Sequence, residues 1–221
     1  MLRNQPSLVK LVRRHSPLES AVNSIGPPWP GTASNPMYPP FSTYPNLQVP
    51  NVSPKENTMA KNKLPSTGAL RFLKAAQADF EIHSYRYQEG GGTRVSSEEL
   101  GVPEHSVIKT LIMEADTRAP LVVLMHGDRE VSTKALARLL KMKSIQPCKP
   151  LIARNHSGYM VGGTSPFGLK KSMPIYIESS ILDLERLYIN GGQRGLLVSM
   201  APKTLQDLLN PVLINAAQAR I

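Results

Sequence analysis

Gly158-Tyr159-Met160-Val161-Gly162-Gly163-Thr164-Ser165-Pro166-Phe167-Gly168 packs four glycines, a proline and two small hydroxyl residues into eleven positions. No helix interior or plain strand is written this way. Glycine is used where the backbone takes a positive φ or must approach a partner closely. Gly162-Gly163 followed by Thr164-Ser165-Pro166 therefore reads either as a loop that turns its N–H groups and hydroxyls to a ligand or as a tight turn between two strands. A second stretch of the same character, Asn190-Gly191-Gly192-Gln193-Arg194-Gly195, and one oddly placed lysine, Lys109, favour the ligand-facing reading.

The segments on either side are short. Residues 144–177 read as short strands around the loop, including Pro174 to Ile177. Leu187-Tyr188-Ile189 leads as a strand into the second glycine stretch, and Leu196 to Met200 leaves it. Upstream, Val107 to Glu114 alternates as a strand with Lys109 in an otherwise apolar row, and Leu121 to Met125 is a second apolar strand. Lys109 then has two readings. It extends its ammonium to water from a strand end, or it points into a pocket and binds an anion or polarises a substrate.

Helical spacing appears at Ala69, Leu70, Phe72, Leu73 and Ala76, with Ser66 or Thr67 as cap. It recurs over Thr133 to Met142. Phe80 to Arg86 alternates as a strand, and Gly90-Gly91-Gly92 is a loop. Ser96 and Glu99 have capping-box spacing for a short helix ending at Gly101. Ser180 to Leu187 is a helical turn. Pro202 suits the first position of a last helix that Pro211 ends. Short strands interrupted by helices, with no regular βαβ rhythm, indicate an α+β fold with a mixed sheet.

Residues 1–58 differ in composition. They hold 11 of the 20 prolines and the only tryptophan, Trp29. They are expected to be a disordered Pro-rich tail, or a mis-assigned extension ahead of a native start at Met59, with one globular domain over 59–221. The net charge of +10 suggests an anionic partner, nucleic acid ahead of a membrane surface. The lone cysteine, Cys148, forms no intramolecular disulfide, and no apolar run is long enough to span a bilayer. A cytoplasmic location is expected.

Several chemistries fail on spacing. The five histidines and Cys148 show no zinc-ligand pattern. Lys170 does not directly follow Gly168, so the Walker spacing fails. There is no G-x-S-x-G elbow. Cys148, between Pro147 and Lys149, reads as a packed or surface thiol. What remains is a site of backbone N–H groups, small hydroxyls and one lysine. Such a site suits a carbonyl or ester substrate attacked by water or by the substrate's own side chain.

Three collinear motifs carry a resemblance: Val107-Ile108-Lys109-Thr110-Leu111, the stretch Gly158 to Gly168, and Tyr188-Ile189-Asn190-Gly191-Gly192-Gln193-Arg194-Gly195. In this order and spacing the chain resembles the YbaK family, the free-standing relatives of the editing domain of bacterial prolyl-tRNA synthetase, over about residues 66–215. The resemblance implies a single α+β domain with a mixed, barrel-like sheet flanked by helices. It implies trans-editing: hydrolysis of the ester of a mischarged aminoacyl-tRNA, typically Cys-tRNA(Pro), with no metal or cofactor. Aminoacyl-tRNA is then the partner, and prolyl-tRNA synthetase a candidate one. Lys109 would hold the terminal adenosine phosphate region, and Gly162 would supply the backbone contact at the scissile carbonyl. Tyr85, Thr110, Gly163, Thr164, Ser165, Asn190, Gly191 and Gly192 would line the substrate.

The sequence departs from Cys-specific members near the expected aminoacyl pocket. Asn190 stands where they often carry serine, Leu197 where some are acidic, and the segment after Tyr85 is short and glycine-rich. The deacylase class is thus better supported than cysteine specificity, and Ala, Ser or Thr stay open as substrates. A non-catalytic tRNA- or synthetase-binding module and a hydrolase of small nucleotide-like esters are the competing readings.

Overall fold

The computed structural model describes residues 65–220. The expectations for residues 1–58 lie outside them. Helix α1 (Gly68–Ala75) is capped by Thr67, whose Oγ1 accepts the Leu70 N–H at 3.1 Å. It buries Ala69, Leu70 and Leu73, as the helical spacing predicts, whereas Phe72 stays at the surface and stacks on Phe167. Strand β1 (Glu81–Ser84) and helix α2 (Gly92–Leu100) follow.

The capping box at Ser96 is not formed. Helix α2 starts four residues earlier, and Ser96 and Ser97 are buried within it, donating back to the carbonyls of Thr93 and Arg94 at 2.9 and 2.8 Å. Such local back-bonding competes with capping. Gly101 ends the helix with φ of 64°, as expected.

Strands β2 (Val107–Ala115), β3 (Pro120–His126) and β4 (Arg129–Val131) lead to helix α3 (Thr133–Leu139), which ends three residues before the predicted Met142. Then come β5 (Ile145–Pro147) and α4 (Pro150–Ser157). After the glycine-rich loop lie β6 (Ile175–Glu178), a 3-10 turn over Ser179–Asp183, β7 (Leu187–Asn190), β8 (Leu196–Met200) and α5 (Pro202–Leu209). Strands β9 (Val212–Ile214) and β10 (Ala217–Ala219) finish the chain.

The α+β fold with a mixed sheet is as read. The strand path is β1-β8-β7-β2-β3-β6-β9, with β5 also on β2 and β10 on β4. The β2–β3 pair is antiparallel, whereas β2–β7, β3–β6 and β6–β9 are parallel. The path ends at β1 and β9, so strand pairing does not close the sheet into a barrel among the described residues.

Alternation along β2 and β3 separates two cores. Ile108, Ile112, Val122 and Leu124 pack with α1, α5, Tyr159 and Phe167 on one face. Met113, Leu121 and Val123 pack with Leu136 of α3 and Ile214 on the other.

One feature of β2 positions the site. Its first edge pairs with β3 from Ile108 to Glu114. Its second edge pairs with β7 only at Val107 and Ile108, and with β5 only from Met113 to Ala115. Between them the edge is open. The Ile112 carbonyl accepts the Cys148 N–H there at 3.0 Å. Backbone groups alternate between edges, so the N–H and C=O of Thr110 face the same gap.

Candidate active site

A pocket of about 560 Å³ lies against this open edge. Tyr85, Lys109, Thr110, Gly162, Thr164 and Asn190 all line it, so six of the ten sequence-predicted site residues share one cavity. The other four stand behind its wall. Gly163 is packed against the backbone of Gln193 and Arg194, which would lie 2.9–3.2 Å from an added Cβ. Ser165 is fully buried, and its Oγ accepts the Phe167 N–H at 3.4 Å. The N–H of Gly191 bonds the Leu196 carbonyl at 3.0 Å, and the N–H of Gly192 bonds Asn190 Oδ1 at 2.7 Å.

Lys109 and Thr110 leave opposite faces of β2, and both residues border the pocket at its open edge. The Lys109 ammonium donates to the Arg129 carbonyl. Burial pulls its pKa below the ordinary lysine value, and Arg220 pulls the same way, while Glu104, Glu130 and Asp128 oppose. The hydroxyl oxygen of Thr110 is buried and has no hydrogen-bond partner among the described residues. Tyr85 donates its N–H to the Gly195 carbonyl at 3.0 Å, and burial raises its phenol pKa.

The two glycine stretches are stapled together. Asn190 Nδ2 donates to the Gly162 carbonyl at 3.1 Å, while its Oδ1 accepts the N–H groups of Gly192 and Gln193. Arg194 Nε donates to the Val161 carbonyl at 3.0 Å, and its guanidinium lies 5.0 Å from the centre of the Tyr87 ring. Thr67 Oγ1 donates to the Gly191 carbonyl, tying the cap of α1 to the second stretch.

Sequence reasoning missed Tyr87 and Arg194. Arg194 stood inside a quoted motif, and Tyr87 lies two residues beyond Tyr85 at strand spacing. It also missed α4, whose first turn brings Pro150 to the pocket. Pro150 at the first helical position and Gly158 at the left-handed cap, φ 82°, are the signal that finds it. The opening glycine of the decisive stretch is thus a helix terminator.

Chemically, the pocket offers donors and few nucleophiles. Burial, helped by Glu114, pushes the Cys148 thiol up to about 11, so it stays protonated near neutral pH. The Gly162 N–H has no partner among the described residues. Gly162 and Lys109 both border the pocket. No group of His, Cys, Asp and Glu side chains suited to a metal occurs among the described residues.

The pocket lies on an α+β domain with a mixed sheet. The chain belongs to the aminoacyl-tRNA editing domain family, whose model matches residues 92–208. It is 27% identical over 154 residues to an Enterococcus faecalis protein named "Putative Cys-tRNA(Pro)/Cys-tRNA(Cys) deacylase EbsC", a match covering 69% of this chain and 94% of that one. It is 28% identical to the proline–tRNA ligase of Thermodesulfovibrio yellowstonii over 138 residues, 62% of this chain but only 22% of the ligase. A crystal structure described as "a putative trans-editing enzyme for prolyl tRNA synthetase" superposes with a TM-score of 0.62 at 18% identity, covering 70% of this chain and 99% of that one. Among the described residues no helix is long and apolar enough to cross a membrane.

Proposed function

We propose that this protein is a trans-editing aminoacyl-tRNA deacylase that hydrolyses the ester of a tRNA mischarged with cysteine or another small amino acid, Cys-tRNA(Pro) being the leading candidate. The observation that supports this reading is that Gly162, whose N–H makes no hydrogen bond among the described residues, and Lys109 both border one pocket with no activated nucleophile among its described lining residues. The ester carbonyl sits at Gly162, whose N–H stabilises the oxyanion as the carbonyl carbon becomes tetrahedral. Lys109 holds the phosphate region of the terminal adenosine. Water, or the thiol of a cysteinyl substrate, attacks the carbonyl. The ribose oxygen leaves with a proton, and the tRNA is released uncharged. Leu197 and Asn190 both line the pocket and set the size and polarity of the aminoacyl end. Prolyl-tRNA synthetase is the protein partner this reading favours.

The test is a deacylation panel of Cys-, Ala-, Ser- and Pro-tRNA(Pro) with Cys-tRNA(Cys), run beside Lys109→Ala. One substrate is hydrolysed, and the variant loses about 100-fold or more, the scale of a lost transition-state contact. Silence across the panel with tRNA still bound would replace the enzyme by a binding module.

A further inference from the structure

We infer that Arg194 is a positioning residue, holding the Val161–Gly162 peptide in the one orientation that leaves the Gly162 N–H to the substrate; this rests on the deacylase reading above. Met160 to Gly163 form a β-turn closed by the Gly163 N–H on the Met160 carbonyl at 2.9 Å. Gly162 occupies its third position with φ of 85°, and Val161 is not among the residues of positive φ. That makes the turn type II.

Types I and II share the closing hydrogen bond and differ by a flip of the central peptide, here Val161–Gly162. Glycine tolerates either sign of φ, so Gly162 by itself does not choose between them. The choice comes from outside the turn. Arg194 Nε grips the Val161 carbonyl at 3.0 Å, and in a trans peptide this drives the Gly162 N–H to the opposite side. The guanidinium is seated on Tyr87, whose hydroxyl would lie 3.0 Å from a Cβ on Gly162, so turn, arginine and ring pack as one unit. Asn190 grips the next carbonyl, that of Gly162, and the Gly163 N–H is spent on closing the turn. Of the two amides of the glycine pair, only that of Gly162 remains, and its direction depends on Arg194.

Three substitutions separate this role from that of a cation that binds phosphate. Glutamine carries its amide nitrogen on Cδ, the same number of bonds from the backbone as arginine Nε, without the charge. Lysine keeps the charge and has carbon at that position. The readouts are kcat and KM on the substrate found in the panel, and the NMR contacts of the turn. A strong contact from the Val161 Hα to the Gly162 amide marks type II; a Val161 amide to Gly162 amide contact in its place marks type I.

Arg194→Ala and Arg194→Lys are expected to lower kcat about 10- to 100-fold with KM within about threefold and to lose the type II contact, being a partial loss of a preorganised donor. Arg194→Gln is expected to keep the contact and most of kcat. Rescue by lysine and not glutamine, with the loss in KM, would overturn the inference, as would an intact type II contact in Arg194→Ala. If the wild type hydrolyses no aminoacyl-tRNA, the deacylase reading fails, and the NMR comparison alone decides the role of Arg194.

Discussion

In the proposed mechanism two single residues, Gly162 and Lys109, set the pocket's chemistry. Gly162 sits at φ of 85°, where a side chain is strained, and a Cβ there would meet the Tyr87 hydroxyl at 3.0 Å and Arg194 Nε at 3.5 Å. Gly162→Ala should therefore cost about 1–3 kcal/mol in the turn and lower kcat at least tenfold, read by deacylation kinetics alongside thermal melting; an alanine variant of full activity would remove the turn from the mechanism. In the proposed mechanism Lys109 acts as a cation, and its pKa lies below the ordinary lysine value of about 10.4. The protonated form is present at low pH and is lost as pH rises through the lowered value. Catalysis, corrected for uncatalysed ester loss, should thus fall on the alkaline side at a lower pH than an exposed lysine would dictate. Arg220 contributes to that lowering, so Arg220→Ala should move the alkaline fall to higher pH. A fall that does not move would mean that another group titrates.

At the scale of elements, the pocket lies where β7 and β5 share one edge of β2 without covering it, and beyond the β3–β4 turn the first residue of β4, Arg129, accepts from Lys109 through its carbonyl. That turn begins at His126, which is 1% exposed. His126 Nδ1 faces the His105 carbonyl at 2.7 Å, an acceptor only, so Nδ1 carries the proton; Nε2 accepts from Ser180 Oγ at 2.9 Å. The His105 ring stacks on it at 3.7 Å, and Asp128 and Glu178 are the nearby acids. Burial lowers the His126 pKa, and His105 adds to that, although the His105 carbonyl, Asp128 and Glu178 pull upward. A depressed folded-state value means that the unfolded chain binds more protons, so stability rises with pH through the unfolded histidine value of about 6.5 and is lost below it. His156, also lowered by burial and by Lys171, pushes in the same direction. Melting temperature should drop between pH 7.5 and 5.5, and His126→Gln should flatten the drop even if it melts lower throughout. A slope that the substitution leaves untouched would assign the acid sensitivity to His156 or elsewhere.

Across the whole molecule, what was legible in the sequence followed from periodicity, and what was hidden followed from pairing between distant segments. Alternation in 107–114 and 121–125 and the spacing of Ala69, Leu70 and Leu73 announce β2, β3 and α1, because burial of one face is written into neighbouring residues. The glycine stretches announced loops, and Gly162, Thr164, Asn190 and Arg194 from them line the pocket. Nothing local says that Ser165 is buried behind it or that Asn190 and Arg194 hold the carbonyls of residues 28 and 33 positions away. Helix α4 was concealed because only Ala153 and Ser157 of its eight residues are buried, leaving no apolar stripe to read. That helix, whose Pro150 and Ala153 line the pocket, also carries the exposed Arg154, which shares a separate surface cleft with Lys170, and Lys149 and Lys171 stand beside these in sequence. A tRNA whose 3′ end enters the pocket would run its phosphates over such a surface, and each neutralised phosphate releases counterions. Deacylation of tRNA under subsaturating conditions should therefore fall steeply with salt, roughly as the 0.7–0.9 power of salt concentration per phosphate engaged, and Arg154→Ala with Lys170→Ala should make that dependence shallower. An aminoacyl-adenosine fragment, which fills the pocket without reaching α4, should be hydrolysed with little dependence on salt and unchanged by the double substitution. Equal salt dependence for both substrates would take the tRNA body off this face. Fragment turnover as efficient as that of tRNA would instead mark a hydrolase of small nucleotide esters, with the basic surface serving something other than substrate capture.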